Sequence, residues 1–204
     1  VQTLLGMGLD VVDLGLSTTP TVEMMVTTLG GGAGLIFTAS HNPKEWNALK
    51  FLNHKGEFIS ASDGEAIIQF ISDKNLLFAG VDHLGKYSTY EHHSTDHIRA
   101  ILDLPAVNVQ NIKNAGFHVV VDCINSTGAY FIPPLLYALG VDYTLLNDDD
   151  FGHFAHNPEP LPQHLVDLVD KVKSTGAHMG ICVDPDVDRL AFVCEDGTLF
   201  GEEY

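Results

Sequence analysis

Ser40, His41 and, ten residues further on, Lys50 lie in TASHNPKEWNALKF (residues 38–51), which follows the apolar run GAGLIF. A hydroxyl next to an imidazole, with an amine downstream, is the material of group transfer: a nucleophile, a hydrogen-bonding partner and an acid or base. A second segment, GICVDPDVDRLAFV (residues 180–193), carries Asp184, Asp186 and Asp188 after an apolar run, with Arg189 directly behind them. In extended backbone alternate residues point to one side. Carboxylates converging that way repel one another unless a cation lies between them, and hard oxygen donors suit Mg²⁺ or Ca²⁺. Pro185 stiffens the loop through its fixed φ. Arg189 is a permanent cation whose planar fork fits phosphate oxygens.

The aspartate loop admits other readings. Aspartates are common in solvated turns. Asp184, Asp186, Asp188 and Glu195 also match positions 1, 3, 5 and 12 of an EF-hand, but position 6, which needs glycine, is Arg189, and the flanks read as strands. An aspartate nucleophile of the haloacid-dehalogenase type also follows a strand, although it normally opens its catalytic domain. None of these accounts for the serine loop. Lys50 by itself reads as a surface charge on a strand.

Together, TASHNP and DPDVDR resemble the two signature loops of the α-D-phosphohexomutases, the phosphoglucomutase/phosphomannomutase family. Lesser matches lie in the expected order: STTPT upstream, VVVDCINSTGAYFIPPLLYALG opening a second domain, and HNPEPLPQHL before the aspartate strand. The resemblance covers essentially the whole chain. It makes Ser40 the phosphorylated nucleophile, and it makes Asp184, Asp186 and Asp188, with the Ser40 phosphate, the ligands of a Mg²⁺ ion. It gives His41 a hydrogen bond in the phosphoserine environment, Arg189 a brace on phosphate oxygens, and Lys50 the place of a general acid/base with a pKa lowered by nearby positive charge. Pro185 and Val187 replace the glycines of the family's metal loop, and CINS replaces a glycine-containing turn. The implied reaction interconverts hexose 1-phosphate and hexose 6-phosphate through a hexose 1,6-bisphosphate. The alternative is a non-catalytic cation-binding domain of the same fold. The family's opening strand with its arginine, its sugar-selecting loop and its phosphate-binding loop have no match here, so the resemblance implies a fragment, inactive alone, whose C-terminal domains belong to the same polypeptide.

The elements that must position these loops follow from periodicity. Residues 1–8 read as the end of a helix, LDVVDLG as a strand, and TPTVEMMVTTLG as a helix capped by Thr19 with Pro20 in its first turn. AGLIFTA reads as a buried strand and ALKFLN as another, followed by a turn at HKGEF. Ala66, Ile67, Phe70 and Ile71 recur at helical spacing. Residues 77–97, polar and histidine-rich, read as a crossing whose His83, His92, His93 and His97 lie on the surface. TDHIRAILDL, the early-proline segment GAYFIPPLLYALG and PQHLVDLVDKVKSTG read as helices. FHVVVDC, VDYTLLN and AHMGICVD read as strands, and LAFVCEDGTLF as a hairpin with an Asp-Gly turn. The expected fold is α/β: two consecutive α/β/α-type domains, residues 1–95 and 96–204, with mixed sheets covered by helices on both faces. The cleft then lies between them, with Trp46 as a loop anchor and Pro43, Asn42 and Asn47 shaping the serine loop.

Bulk composition narrows the partners. Ten Lys and Arg against 27 Asp and Glu give a formal charge of −17, which disfavours nucleic acid as a partner. No apolar stretch approaches a membrane span. Cys123, Cys182 and Cys194, an odd number in apolar runs, read as reduced thiols in a cytoplasmic setting. The run NDDDFGHFAH offers Asp148, Asp149, Asp150, His153 and His156, which read as a solvated acidic loop rather than a second metal site.

Overall fold

The computed structural model describes residues 1–42, 45–73 and 77–200. The N-terminal half contains α1 (Gln2–Gly6), β1 (Val11–Asp13), α2 (Thr19–Thr28), β2 (Gly34–Phe37), β3 (Leu49–Leu52), α3 (Ala61–Asp73) and β4 (Tyr87–Thr89). β2 and β3 pair antiparallel, placing Ile36 opposite Lys50, while β1 pairs parallel with β4. The crossing predicted for residues 77–97 therefore contains a strand; its short Tyr-Ser-Thr pattern is too brief to show a period.

Two further expectations shift. Thr18, not Thr19, caps α2, its hydroxyl accepting from the Thr21 N–H at 3.3 Å. That leaves the Thr19 side chain free for another partner. β2 is buried on one face only: Ile36 points inward, whereas Phe37 is 73 % exposed. α2 lies close against this strand, and a Cβ on Gly34 would come within 2.8 Å of Val26 Cγ2. α3 forms where helical spacing predicts, but Ile68, Phe70 and Ile71 stay exposed, because no described element packs extensively against that stripe.

The C-terminal half runs α4 (His93–Leu102), α5 (Val109–Ala115), β5 (His118–Asp122), α6 (Gly128–Leu139), β6 (Asp142–Leu146), α7 (Val166–Thr175), β7 (Met179–Val183), β8 (Leu190–Cys194) and β9 (Leu199–Phe200). Its sheet has the order β6-β5-β7-β8-β9, parallel among β6, β5 and β7 and antiparallel from β7 onward. This is the mixed α/β sheet expected, covered on both faces. Val119 and Val121 pack with Leu136 of α6 on one side, and Val120 and Cys182 with Leu165, Leu168 and Val172 on the other. Pro133 and Pro134 lie inside α6 rather than near its start. Among the described residues no helix is long and apolar enough to cross a membrane.

α4 joins the halves by packing against both α2 and α6. Its histidines correct the surface reading: His93 is buried, and His97 meets Thr21 Oγ1 at 2.8 Å while its ring lies 4.9 Å from that of Phe131. Only His83 and His92 of the group are exposed. A 21/97 contact is invisible to local pattern because its partners are distant in sequence. Burial lowers the pKa of both His93 and His97, so both rings are held neutral. A histidine depressed in the folded state contributes stability that is complete above its unfolded value of about 6.5 and is lost as pH falls through the folded-state value. Acidification below about pH 6.5 is therefore expected to lower the thermal midpoint. The drop should shrink in His97→Gln, which can keep a bond to Thr21 without titrating; an unchanged pH dependence would refute this role.

Candidate phosphoryl-transfer and metal site

The two chemistry-bearing loops meet across the halves. β2 delivers residues 38–42, and β7 runs directly into residues 184–189. Ser40 has φ 50°, in the left-handed region that non-glycine residues seldom occupy, and its N–H donates to Thr38 Oγ1 at 2.9 Å. That conformation aims its hydroxyl at the other loop: Oγ donates to Asp184 Oδ2 at 2.9 Å and accepts from Arg189 Nη2 at 3.2 Å. Ser40 Oγ also lies 3.4 Å from His41 Nδ1, which Arg189 Nη2 contacts as well. Asn42 closes the turn through its side-chain amide to the Ala39 carbonyl. Pro43 lies outside the described residues. Trp46 is 65 % exposed, so it does not anchor the loop by burial.

The aspartate loop is tightly built. The Asp188 and Arg189 N–H groups donate to Asp184 Oδ1 at 3.1 and 3.2 Å, and the Ser126 and Thr127 hydroxyls both donate to the Pro185 carbonyl at 2.7 Å. From the opposite half the Thr19 hydroxyl donates to Asp186 Oδ2 at 2.7 Å and the Thr19 N–H to the Asp186 carbonyl at 2.8 Å. Thr19 is fully buried. It is the site residue that the sequence reading assigned to a helix cap; STTPT held the signal, but not the partner 167 residues away.

Lys50, from β3, donates to both Asp186 Oδ2 and Asp188 Oδ2 at 2.6 Å. The three carboxylates have oxygens within 4.8 Å of one another, and Asp184 and Asp186 are buried. Burial and the neighbouring Asp186 charge raise the pKa of Asp184. Burial alone would raise Asp186 too, but bonds from Lys50 and Thr19 outweigh it and hold that carboxyl low. For Lys50 burial works downward, and the bonds to Asp186 and Asp188 overcome it and raise the pKa. The expected lowering is thus reversed here: the groups nearest Nζ are anions. Among the described residues Asp186 Oδ1 is buried without a hydrogen-bond partner. That orphan oxygen, next to two more carboxylates, fits a hard divalent cation.

Residues 1–77 match the family described as "Phosphoglucomutase/phosphomannomutase, alpha/beta/alpha domain I", and residues 95–197 match its "alpha/beta/alpha domain II". The chain belongs to this family, within the α-D-phosphohexomutases. It is 38 % identical over 202 residues to a Methanopyrus kandleri protein named "Probable phosphoglucosamine mutase", covering 98 % of this chain and 43 % of that one. It is 34 % identical to a "Phosphoglucomutase/phosphomannomutase" of Thermococcus kodakarensis, covering 97 % of this chain and 43 % of the relative. A crystal structure of a family protein from Burkholderia thailandensis superposes with a TM-score of 0.81 at 28 % identity, over 96 % of this chain and 42 % of that one. The chain thus spans less than half the length of the relatives it matches.

Two further turns of the chain carry backbone strain. Val187 has φ 60°, where a β-branched residue is disfavoured, and Ile124 and Asn125 of CINS have φ 47° and 54°. The latter turn is held by Asn125 Nδ2 to the His153 carbonyl at 2.8 Å and by Ile124 N–H to Asp122 Oδ1 at 3.0 Å. Replacing Val187 with glycine removes the steric cost without touching a carboxylate. Val187→Gly is expected to raise unfolding free energy by roughly 1 kcal/mol, measured by urea denaturation; a loss of stability would mean that Val187 packing outweighs its strain.

Proposed function

We propose that this chain carries the phosphoserine and metal-binding loops of a magnesium-dependent phosphohexomutase, interconverting hexose 1- and 6-phosphates through a bisphosphorylated sugar. The observation that carries the reading is the convergence of Ser40 Oγ with Asp184 and Arg189, residues from opposite halves of the fold. A pure cation binder has no use for a hydroxyl held between a carboxylate and a guanidinium. Membership of the family and the names of the relatives support mutase activity for the longer proteins. The reduced cysteines suit a cytoplasmic setting.

Phosphoryl transfer asks the protein mainly for positioning and charge neutralisation. In the forward step the Oγ–P bond of phosphorylated Ser40 breaks while a sugar hydroxyl oxygen bonds to phosphorus, and the proton that hydroxyl loses is matched by one gained at the departing Ser40 Oγ. Arg189 Nη2 already contacts Ser40 Oγ and would donate to the transferring group's oxygens. Magnesium bound by Asp184, Asp186, Asp188 and the Ser40 phosphate would supply neutralisation of the equatorial oxygens. Lys50 holds its proton on Nζ as long as both carboxylates stay on it, so a base role requires those two bonds to be released first. His41 orients the Ser40 and Arg189 pair. Sugar choice lies outside the residues that converge here.

Incubation of the chain with Mg²⁺ and glucose 1,6-bisphosphate, followed by phosphopeptide mapping, is expected to place phosphate on the Ser40 peptide. Ser40→Ala should abolish it, and Arg189→Ala should slow it about 10²-fold. Phosphate absent from Ser40 here and in a full-length relative would sink the mutase reading and leave a cation-binding domain.

A further inference from the structure

Residues outside the transfer site form a second constellation of metal ligands. Asp122 at the end of β5, Cys182 on β7 and His156 in the loop after β6 bring a carboxylate oxygen, a sulfur and a ring nitrogen within 4.8 Å of one another. Asp122 and Cys182 are both 1 % exposed, and the His156 side chain is 17 % exposed. These residues belong to three separate segments that the sequence reading treated independently: an apolar strand, a buried thiol and one histidine of an acidic loop. The fold sorts that loop. Asp149, Asp150 and His153 stay in solvent, with His153 paired to Asp150 at 2.9 Å, while His156 turns inward.

We propose that Asp122, His156 and Cys182 form a binding site for a borderline-soft divalent cation of the zinc class, separate from the oxygen-only site of Asp184, Asp186 and Asp188. The donor set decides the class: a thiolate, an imidazole and a carboxylate are the three ligand types zinc takes, whereas magnesium takes oxygen. The arrangement behind the ligands matches as well. His156 Nδ1 lies 2.9 Å from the Asn157 carbonyl, which can only accept, so Nδ1 carries a proton. A ring whose single proton is spent there presents the Nε2 lone pair to Asp122 Oδ2, 2.9 Å away. Nε2 and Oδ2 thus face each other across a gap that a cation bound to both would bridge. The other oxygen, Asp122 Oδ1, is fixed by the Ile124 N–H at 3.0 Å and by Asn147 Nδ2 at 2.9 Å. Outer hydrogen bonds of this kind orient metal ligands, here leaving His156 Nε2 and Asp122 Oδ2 as the atoms that would meet the ion.

Binding replaces the Cys182 S–H bond with a sulfur–metal bond and releases the proton to solvent. Three protein ligands leave one position of a four-coordinate ion for a small ligand such as water. His156 is the only one of the three with appreciable exposed surface, so the ion enters from its side. Occupancy would tie the loop carrying HNPEP to β5 and β7, beside the strand end that holds the aspartate loop.

Cobalt(II) titration of the chain in excess Mg²⁺ tests this, because only a thiolate ligand gives the near-ultraviolet sulfur-to-cobalt charge-transfer band, and the carboxylate loop cannot. The band is expected to saturate stoichiometrically, to vanish in Cys182→Ala and in His156→Gln, and to persist in Cys194→Ser. Asn147→Ala, which removes one bond to Asp122, should weaken cobalt binding by about 10-fold. Circular dichroism establishes that each variant is folded; should Cys182→Ala fail to fold, His156→Gln carries the same test. No band in the unaltered chain, or a band that survives Cys182→Ala or His156→Gln, overturns the proposal.

Discussion

Two carboxylates, Asp184 and Asp186, are buried side by side on one loop with Asp188 next to them, and the fold around them must answer that charge. At their separation two ionised groups repel by roughly 3 kcal/mol even at the effective dielectric typical of proteins. Arg189 of the same loop answers Asp184, and the rest of the compensation comes from elsewhere in the chain: Lys50 on Asp186 and Asp188, and the Thr19 hydroxyl on Asp186. Lys50 and Thr19 lie in the first half, so the charge problem of one half is met by donors of the other. The interface and the site are one structure.

That dependence explains why each supporting element is placed as it is. β7 ends in the carboxylates, and its neighbours β5 and β8 hold it centrally in a sheet packed on both faces. β2 and β3 pair so that Ile36 lies opposite Lys50, which fixes the lysine relative to the strand leading to Ser40. α2 begins at Thr19, so its first residue can spend both N–H and hydroxyl on Asp186 while Thr18 does the capping. α4 then bridges the halves with His93 and His97 neutral inside it. Strain lies at Ser40 and Val187 in the two loops, as well as at Ile124 and Asn125, where neighbouring hydrogen bonds hold residues in conformations they would otherwise avoid.

Much of this was legible beforehand because it is local. Apolar runs of five residues ending in polar loops marked the strands, and the 3.6-residue recurrence marked α3 and α7. Asp196-Gly197 marked the hairpin, whose glycine has φ 84°. The loop sequences around Ser40 and Asp184 carried the family resemblance unaided, since their chemistry depends on residue type and close spacing. Where expectation failed, a distant partner was responsible. His97 reads as solvated but Thr21 and Phe131 close on it; β2 reads as buried throughout but its pairing leaves Phe37 outside; α3 has its stripe but no described element packs extensively against it.

By itself, then, the sequence determined the α/β class, the order of the strands and helices along the chain apart from β4 and α5, and the two loops that carry the family resemblance, because periodicity and short-range spacing are properties of neighbouring residues. Only the tertiary structure decided the sign of the Lys50 shift, the role of Thr19 and the inward turn of His156. Each depends on an electrostatic or hydrogen-bonding partner more than thirty residues away: Asp186 lies 136 residues from Lys50 and 167 from Thr19, and Asp122 lies 34 from His156. A carboxylate within bonding distance outweighs burial for a lysine, and no local pattern records which carboxylate the fold will bring there.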